Sequence, residues 1–280
     1  MEKRSVFFVL LVATLLVGTA ESQTNESAPA EFVLVHGGFH GAWCWFRVIT
    51  KLHRYGFKAT ALDLSSHGRD KTHADNVTSL AQYAKPLTDY LASNVSGKVV
   101  LVGHSLGGIS ISYAMEQFPD KVSKAIFLAA AMPLNNQSGA SSFPPDALPR
   151  LFGEHAVIFN YGNGPLAPPT SLSPNLTICT SLFYNKSPPQ DATLGLLVLD
   201  DEPVASLYDI LYLTPSNYGS VRRFYVKTDF DNVLPPNTDQ DYIINQNPPE
   251  QVFTINGSDH SAFFSKTREF IELIVKISTL

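Results

Sequence analysis

Charge is scarce in this sequence. Only 16% of its 280 residues are Asp, Glu, Lys or Arg, where an average domain has about 25%. With 44% hydrophobic residues, that scarcity excludes a disordered chain and a coiled coil. No run of lysines or arginines occurs, and the net charge is −5 with a pI near 5.9. The basic footprint of a nucleic-acid binder is therefore missing. Cysteine is scarcer still. Cys44 and Cys179 cannot build a disulfide scaffold, and no CxxC or Cys/His cluster offers a metal site. They read as two buried free thiols, with one disulfide as the alternative in an oxidising compartment. No internal repeat is visible. Beyond the N-terminus no stretch approaches the ~20 apolar residues of a membrane span. The length fits one large domain, or a domain with a lid.

The N-terminus reads as a targeting segment. Lys3 and Arg4 give a positive start, Val6 to Val17 is uncharged, and Gly18-Thr19-Ala20 supplies small residues for cleavage. The expectation is a secretory signal peptide over 1–22 and a secreted, extracellular mature chain. Sequons at Asn25, Asn76, Asn94, Asn136, Asn175 and Asn185 are then glycosylation candidates. A further sequon at Asn256 is set aside, because it lies close to a residue assigned to catalysis below.

Short apolar runs then alternate with helical spacing. Phe32–Val35, Phe57–Leu64, Val99–Val102 and Ala125–Leu128 read as strands. Trp43–Tyr55 and Gly107–Phe118 read as helices, and Leu80, Tyr83, Leu87 and Leu91 recur at helical spacing. From 132 to 217 the alternation breaks into proline-rich chain, with Pro144-Pro145, Pro168-Pro169 and Pro188-Pro189. A structureless loop of that length is improbable, so the segment reads as an inserted, largely helical cap. Strands resume at Arg223–Val226 and Gln251–Ile255, and Phe270, Ile271, Ile274 and Ile277 mark a closing helix. The fold class is α/β: a mostly parallel sheet with helices on both faces. Its core is split into 23–131 and 218–280 around the cap at 132–217.

Gly103-His104-Ser105-Leu106-Gly107 matches G-x-S-x-G between a strand and a helix. Such a turn lifts a serine hydroxyl above the sheet, so Ser105 is the candidate nucleophile. Its base and orienter should follow in the order acid, then histidine. Of the two histidines beyond Ser105, His155 falls in the cap, while His260 directly follows the last strand. Asp229 and Asp231 both follow the preceding strand; spacing leans to Asp231 and leaves Asp229 open. An oxyanion needs two backbone N–H donors, one from Leu106 and one from His36-Gly37-Gly38. His36 itself reads as a hydrogen-bonding loop residue.

These residues also carry a resemblance. FVLVHGGFHGAWCW (32–45), Asp63–Gly68, SLAQYAKP (79–86), VVLVGHSLGG (99–108), YGSVRRFYVKT (218–228) and NPPEQVFTINGSDHSAFFS (247–265) resemble the plant methylesterase/hydroxynitrile lyase family of α/β-hydrolases. The resemblance implies Ser105, Asp231 and His260 as a triad, which selects Asp231 over Asp229. It implies the Gly38 and Leu106 N–H groups as the oxyanion pair. The lyases of that family resemble one another in a threonine after the first-strand histidine and a lysine after the catalytic histidine. Here those positions are Gly37 and Ser261, so no cation awaits a leaving cyanide and the methylesterase branch is the better match. The implied activity is hydrolysis of methyl esters of small plant acids, of the methyl jasmonate, methyl salicylate or methyl indole-3-acetate type, without metal or cofactor. The alternatives are a lyase and a ligand-binding member of the same fold. The expected partner is a small apolar ester, with no nucleic acid and no membrane span; a homodimer is compatible with this reading.

Overall fold

The computed structural model describes residues 31–153 and 156–280. The expected signal peptide, Asn25 and His155 lie outside them. The chain opens with β1 (Glu31–Val35), α1 (Phe46–Arg54) and β2 (Lys58–Leu62). Two helices follow, α2 (Leu80–Tyr83) and α3 (Lys85–Asn94), then β3 (Val99–His104), α4 (Gly107–Gln117) and β4 (Val122–Leu128). The helical spacing from Leu80 to Leu91 therefore spans a break at Ala84. Pro86 stands in the first turn of α3, the place where a residue without an N–H is tolerated.

The excursion after β4 is less helical than expected. It holds β5 (Gln137–Ser138), α5 (Ala147–Gly153), β6 (Val157–Asn160), β7 (Ser171–Pro174), α6 (Leu176–Phe183), α7 (Pro189–Val198), β8 (Glu202–Pro203), α8 (Ala205–Tyr208) and β9 (Ile210–Leu211). Strands β6, β7 and β8 form an antiparallel sheet, and β5 pairs with β9. None of these strands exceeds four residues, too short for a period of two to show in sequence. The chain returns through β10 (Arg222–Thr228), α9 (Asp241–Gln246), β11 (Gln251–Ile255), α10 (Ala262–Ser265) and α11 (Thr267–Thr279).

The main sheet has six parallel strands in the order β11-β10-β4-β3-β1-β2. Its central strands are buried on both faces, and so they read as unbroken apolar runs: Phe32-Val33-Leu34-Val35 and Val99–Val102 are sealed from solvent. Chain order reverses at β1, with β2 on one side and β3 on the other. Right-handed crossovers then place α1 on one face and α3 and α4 on the opposite one. α11 joins α1, and α3 packs on α4. Trp45, fully buried, fixes the start of α1 between Phe263 and Phe270, with ring centroids at 4.9 and 6.0 Å. The reversal lies between β1 and β3, and ligands of open α/β sheets bind outside the carboxyl ends at such a point. Those two ends carry His36-Gly37-Gly38 and Ser105.

Candidate active site

Ser105 joins β3 to α4 with φ +52°, a left-handed conformation that costs a non-glycine residue about 1–2 kcal/mol. Backbone contacts hold it there. Its N–H donates to Leu128 O at 3.1 Å, and its carbonyl accepts from Gly108 N–H at 3.1 Å and Ala131 N–H at 3.0 Å. The elbow presses on the end of β1 so closely that a Cβ at Gly107 would stand 2.3 Å from His36 O.

The sheet brings Asp231, after β10, to His260, after β11. His260 Nδ1 donates to Asp231 Oδ2 at 2.8 Å. The same carboxylate accepts the Val233 and Leu234 N–H groups and the Thr228 hydroxyl, each at 2.8 Å. With Nδ1 as the donor, His260 Nε2 keeps its lone pair, and it is buried without a hydrogen-bond partner among the described residues. Asp229 is occupied elsewhere: its Oδ1 accepts Gly257 N–H at 2.6 Å and Ser258 N–H at 3.1 Å. It shapes the turn that leads into His260. His104 ties the elbow to that turn, because its Nε2 donates to His260 O at 2.9 Å. Burial, then the neighbouring histidines, hold His104 well below its ordinary pKa, so it is neutral.

Side chains pin the loop after β1. His36 Nδ1 donates to Gly37 O at 2.8 Å, and His36 Nε2 accepts Leu64 N–H at 3.0 Å. His40 Nδ1 donates to Gly38 O at 2.8 Å, and its Nε2 accepts the Tyr184 hydroxyl at 2.8 Å. Burial lowers both histidines, His40 to about 4. Phe39 follows with φ +64°. The Gly38 and Leu106 N–H groups meet no backbone or side-chain acceptor among the described residues. Gly37 is sterically required on this backbone, since a Cβ there would lie 2.7 Å from Ser105 Cβ.

Above Ser105, Gly38 and Leu106 lies a cavity of about 80 Å³ walled by Phe39, Phe143, Leu151, Leu182, Phe183 and Leu234, among others. Among the described residues no charged side chain lines it. Two aromatics of the insertion, Phe143 and Phe183, reach it. Tyr184 packs against His40 instead, and Tyr161 is exposed. Ser261 is sealed from solvent beside His260. Cys44 and Cys179 are buried free thiols. Among the described residues no cluster of His, Cys, Asp and Glu is arranged to hold a metal.

Sequence reasoning passed over His40, His67 and Glu202, all buried around the loop. His40 had a local signal, the HGGFH run; Glu202 had none, because Phe39 and Tyr83 lie more than a hundred residues away.

Residues 32–273 match the model of the alpha/beta hydrolase family. An Arabidopsis thaliana protein that carries the name methylesterase 15 by assignment is 44% identical over 263 residues, covering 93% of this chain and 59% of its own length. Methyl jasmonate esterase 1 of Vitis vinifera is 37% identical over 256 residues, covering 90% and 98%. The crystal structure of the methylesterase MES16 from Arabidopsis superposes with a TM-score of 0.78 at 35% identity, covering 90% of this chain and all of that one. The chain spans less than two thirds of Arabidopsis methylesterases 15, 11 and 13: 59%, 64% and 60% of their lengths. Those three relatives are named chloroplastic, which overturns the expectation of a secreted, extracellular protein. Glycosylation at Asn25, Asn76, Asn94, Asn136, Asn175 and Asn185 rested on secretion and is left without that support. The side chain of Asn185 is also engaged, its Nδ2 donating to Phe230 O at 3.0 Å.

Proposed function

The chain belongs to the α/β-hydrolase family, among its plant methylesterases, and on that premise we propose that it is a serine carboxylesterase acting on methyl esters of small plant acids. The observation that carries the reading is the free lone pair of His260 Nε2. It is held ready by the Nδ1 bond to Asp231 and tied through His104 to the strained Ser105.

The ester lies in the apolar cavity with its carbonyl at Ser105. His260 Nε2 takes the hydroxyl proton as Oγ bonds to the carbonyl carbon. Asp231 fixes the tautomer and stabilises the imidazolium that forms. The developing oxyanion is met by the N–H groups of Gly38 and Leu106, each such donor contributing roughly 3–4 kcal/mol. His260 returns the proton to the departing alkoxide and methanol leaves. Water, deprotonated by the same imidazole, then cleaves the acyl-enzyme and frees Ser105. Within this reading, 132–217 acts as a cap that supplies most of the cavity wall. Substrates of the methyl jasmonate, methyl salicylate or methyl indole-3-acetate type match a lining without charges. A lyase is disfavoured by Gly37 and by Ser261, which provides no cation.

The test compares the purified protein with Ser105→Ala on a panel of methyl esters and on mandelonitrile. Acid release that vanishes in the variant is expected. Aldehyde release from mandelonitrile with silent esters overturns the reading. Tight binding of a free acid without turnover would do so as well, in favour of a ligand-binding protein.

A further inference from the structure

Phe39 is the second strained residue of the site, and nothing in its own sequence favours φ +64°. A bulky residue stays in that region only when its surroundings over-determine it. Here both of its peptide groups are taken by one distant segment. Phe39 O accepts Asp200 N–H at 2.8 Å, and Phe39 N–H donates to Glu202 Oε2 at 3.3 Å. Glu202 is sealed from solvent and anchored in turn. Its Oε2 accepts the Tyr83 hydroxyl at 3.1 Å and lies 3.2 Å from Nε2 of the equally buried His67. Its Oε1 accepts the Ser206 hydroxyl at 2.7 Å. Asp200 is fixed to the same turn as His67, accepting Gly68 N–H at 2.7 Å.

We propose that Glu202, paired with His67, is a positioning residue for the reaction: it clamps Phe39 and thereby holds the adjoining Gly38 N–H aimed at the oxyanion. A Cβ at Gly38 would lie 3.4 Å from Glu202 Oε2, so the carboxylate backs directly onto the donor residue. The buried ion pair fits this role better than a stabilising one. Desolvation of two such groups offsets most of their attraction, and an apolar pair of equal size packs as well. A negative oxygen at that point does what an apolar side chain cannot, which is to accept the N–H of a strained loop. Burial depresses His67, but its contact with the Glu202 carboxylate outweighs this and raises it, favouring the imidazolium. Because Glu202 and Asp200 belong to the excursion while Gly38 belongs to the core, the clamp also couples the two parts of the site.

The effect on turnover rests on the esterase reading; the clamp itself does not, and the experiment separates them. Hydrogen exchange on the full chain reads the Phe39 amide, which should exchange at least about 100-fold more slowly than an unprotected loop amide. Phe39 exchanging like an open loop in the unsubstituted protein overturns the proposal, whatever the activity. On the best methyl ester, Glu202→Ala should lower kcat about 100-fold with KM little changed, and Glu202→Gln, which keeps an acceptor oxygen, should recover all but about threefold. A trifluoromethyl ketone, which adds to Ser105 and presents an oxyanion, should bind Glu202→Ala weaker by the same factor as kcat, while the product acid binds unchanged. A folded Glu202→Ala with normal kcat and normal Phe39 exchange sinks the idea, as does equal loss in the Ala and Gln variants. If the alanine variant does not fold, Glu202→Met keeps the volume without the acceptor. A protein that turns over no ester but protects Phe39, and loses that protection in the variant, refutes the esterase reading and keeps the clamp.

Discussion

Two strained residues face each other across the site, and they are held by different means. Ser105 is fixed by backbone groups of its own neighbourhood, Leu128, Gly108 and Ala131, with glycines leaving the room. Phe39 is fixed by groups far along the chain, Asp200 N–H and the Glu202 carboxylate, and its loop by histidine side chains on either flank. The first strain needs only the five-residue elbow and the adjoining end of β4. The second exists only once the excursion has docked. The elbow should therefore be robust to conditions and sensitive to added atoms, and the loop the reverse.

The largest expected effect comes from the group that orients the base beside Ser105. Asp231→Asn removes the acceptor that sets the His260 tautomer and should cost about 10⁴-fold in kcat with the fold intact. A pre-steady-state acylation rate checks it.

Gly107→Ala attacks the elbow through bulk. Its Cβ would press on His36 O at 2.3 Å, and the overpacking should destabilise by about 3 kcal/mol in urea unfolding.

Acid attacks the loop arm through charge. In that arm His36 and His40 have pKa values lowered in the fold. Their contribution is therefore complete above the unfolded value near 6.5 and is lost as pH falls below it. For His40, lowered to about 4, the loss reaches about 3 kcal/mol by that pH. Protonation would also deprive Leu64 N–H and the Tyr184 hydroxyl of their acceptors. His67 acts in the opposite sense: its raised value adds stability that is full below 6.5 and fades as pH rises above. Unfolding measured from pH 4 to 8 should show a steep acid limb, and Glu202→Gln should flatten the alkaline side.

The smallest effect sharpens the contrast most. Ser105→Gly should end ester turnover yet raise stability by about 1 kcal/mol over Ser105→Ala, because only glycine takes φ +52° freely. A thermal melt of both variants decides it.

What could be read from the sequence follows the same division. Strands β1 and β3, the elbow and His260 were legible because each is announced by adjacent residues: an apolar run, a glycine bracket, a histidine just past a strand. Asp231 and Asp229 look alike at that range. Only the register of β10 on β11 gives one to the imidazole and the other to the Gly257 turn. Glu202 and His67 stayed hidden because they meet across a long stretch of chain, and the strands of the excursion because none exceeds four residues. The expectation of secretion failed for a simpler reason: a positive start and a short apolar run state a composition, not a destination.

The cavity above Ser105 carries one more consequence. An ester and its acid differ by a methyl group, but at neutral pH they differ by a whole charge. A wall whose described residues are chiefly Phe, Leu, Val and Ala, with no cation among them, accommodates the first and penalises the second, since an unpaired carboxylate in an apolar site is costly. For the reaction proposed, hydrolysis thus makes its own product unwelcome. The pocket needs no exit signal, because bond cleavage creates the charge that evicts the product and keeps the traffic one-way.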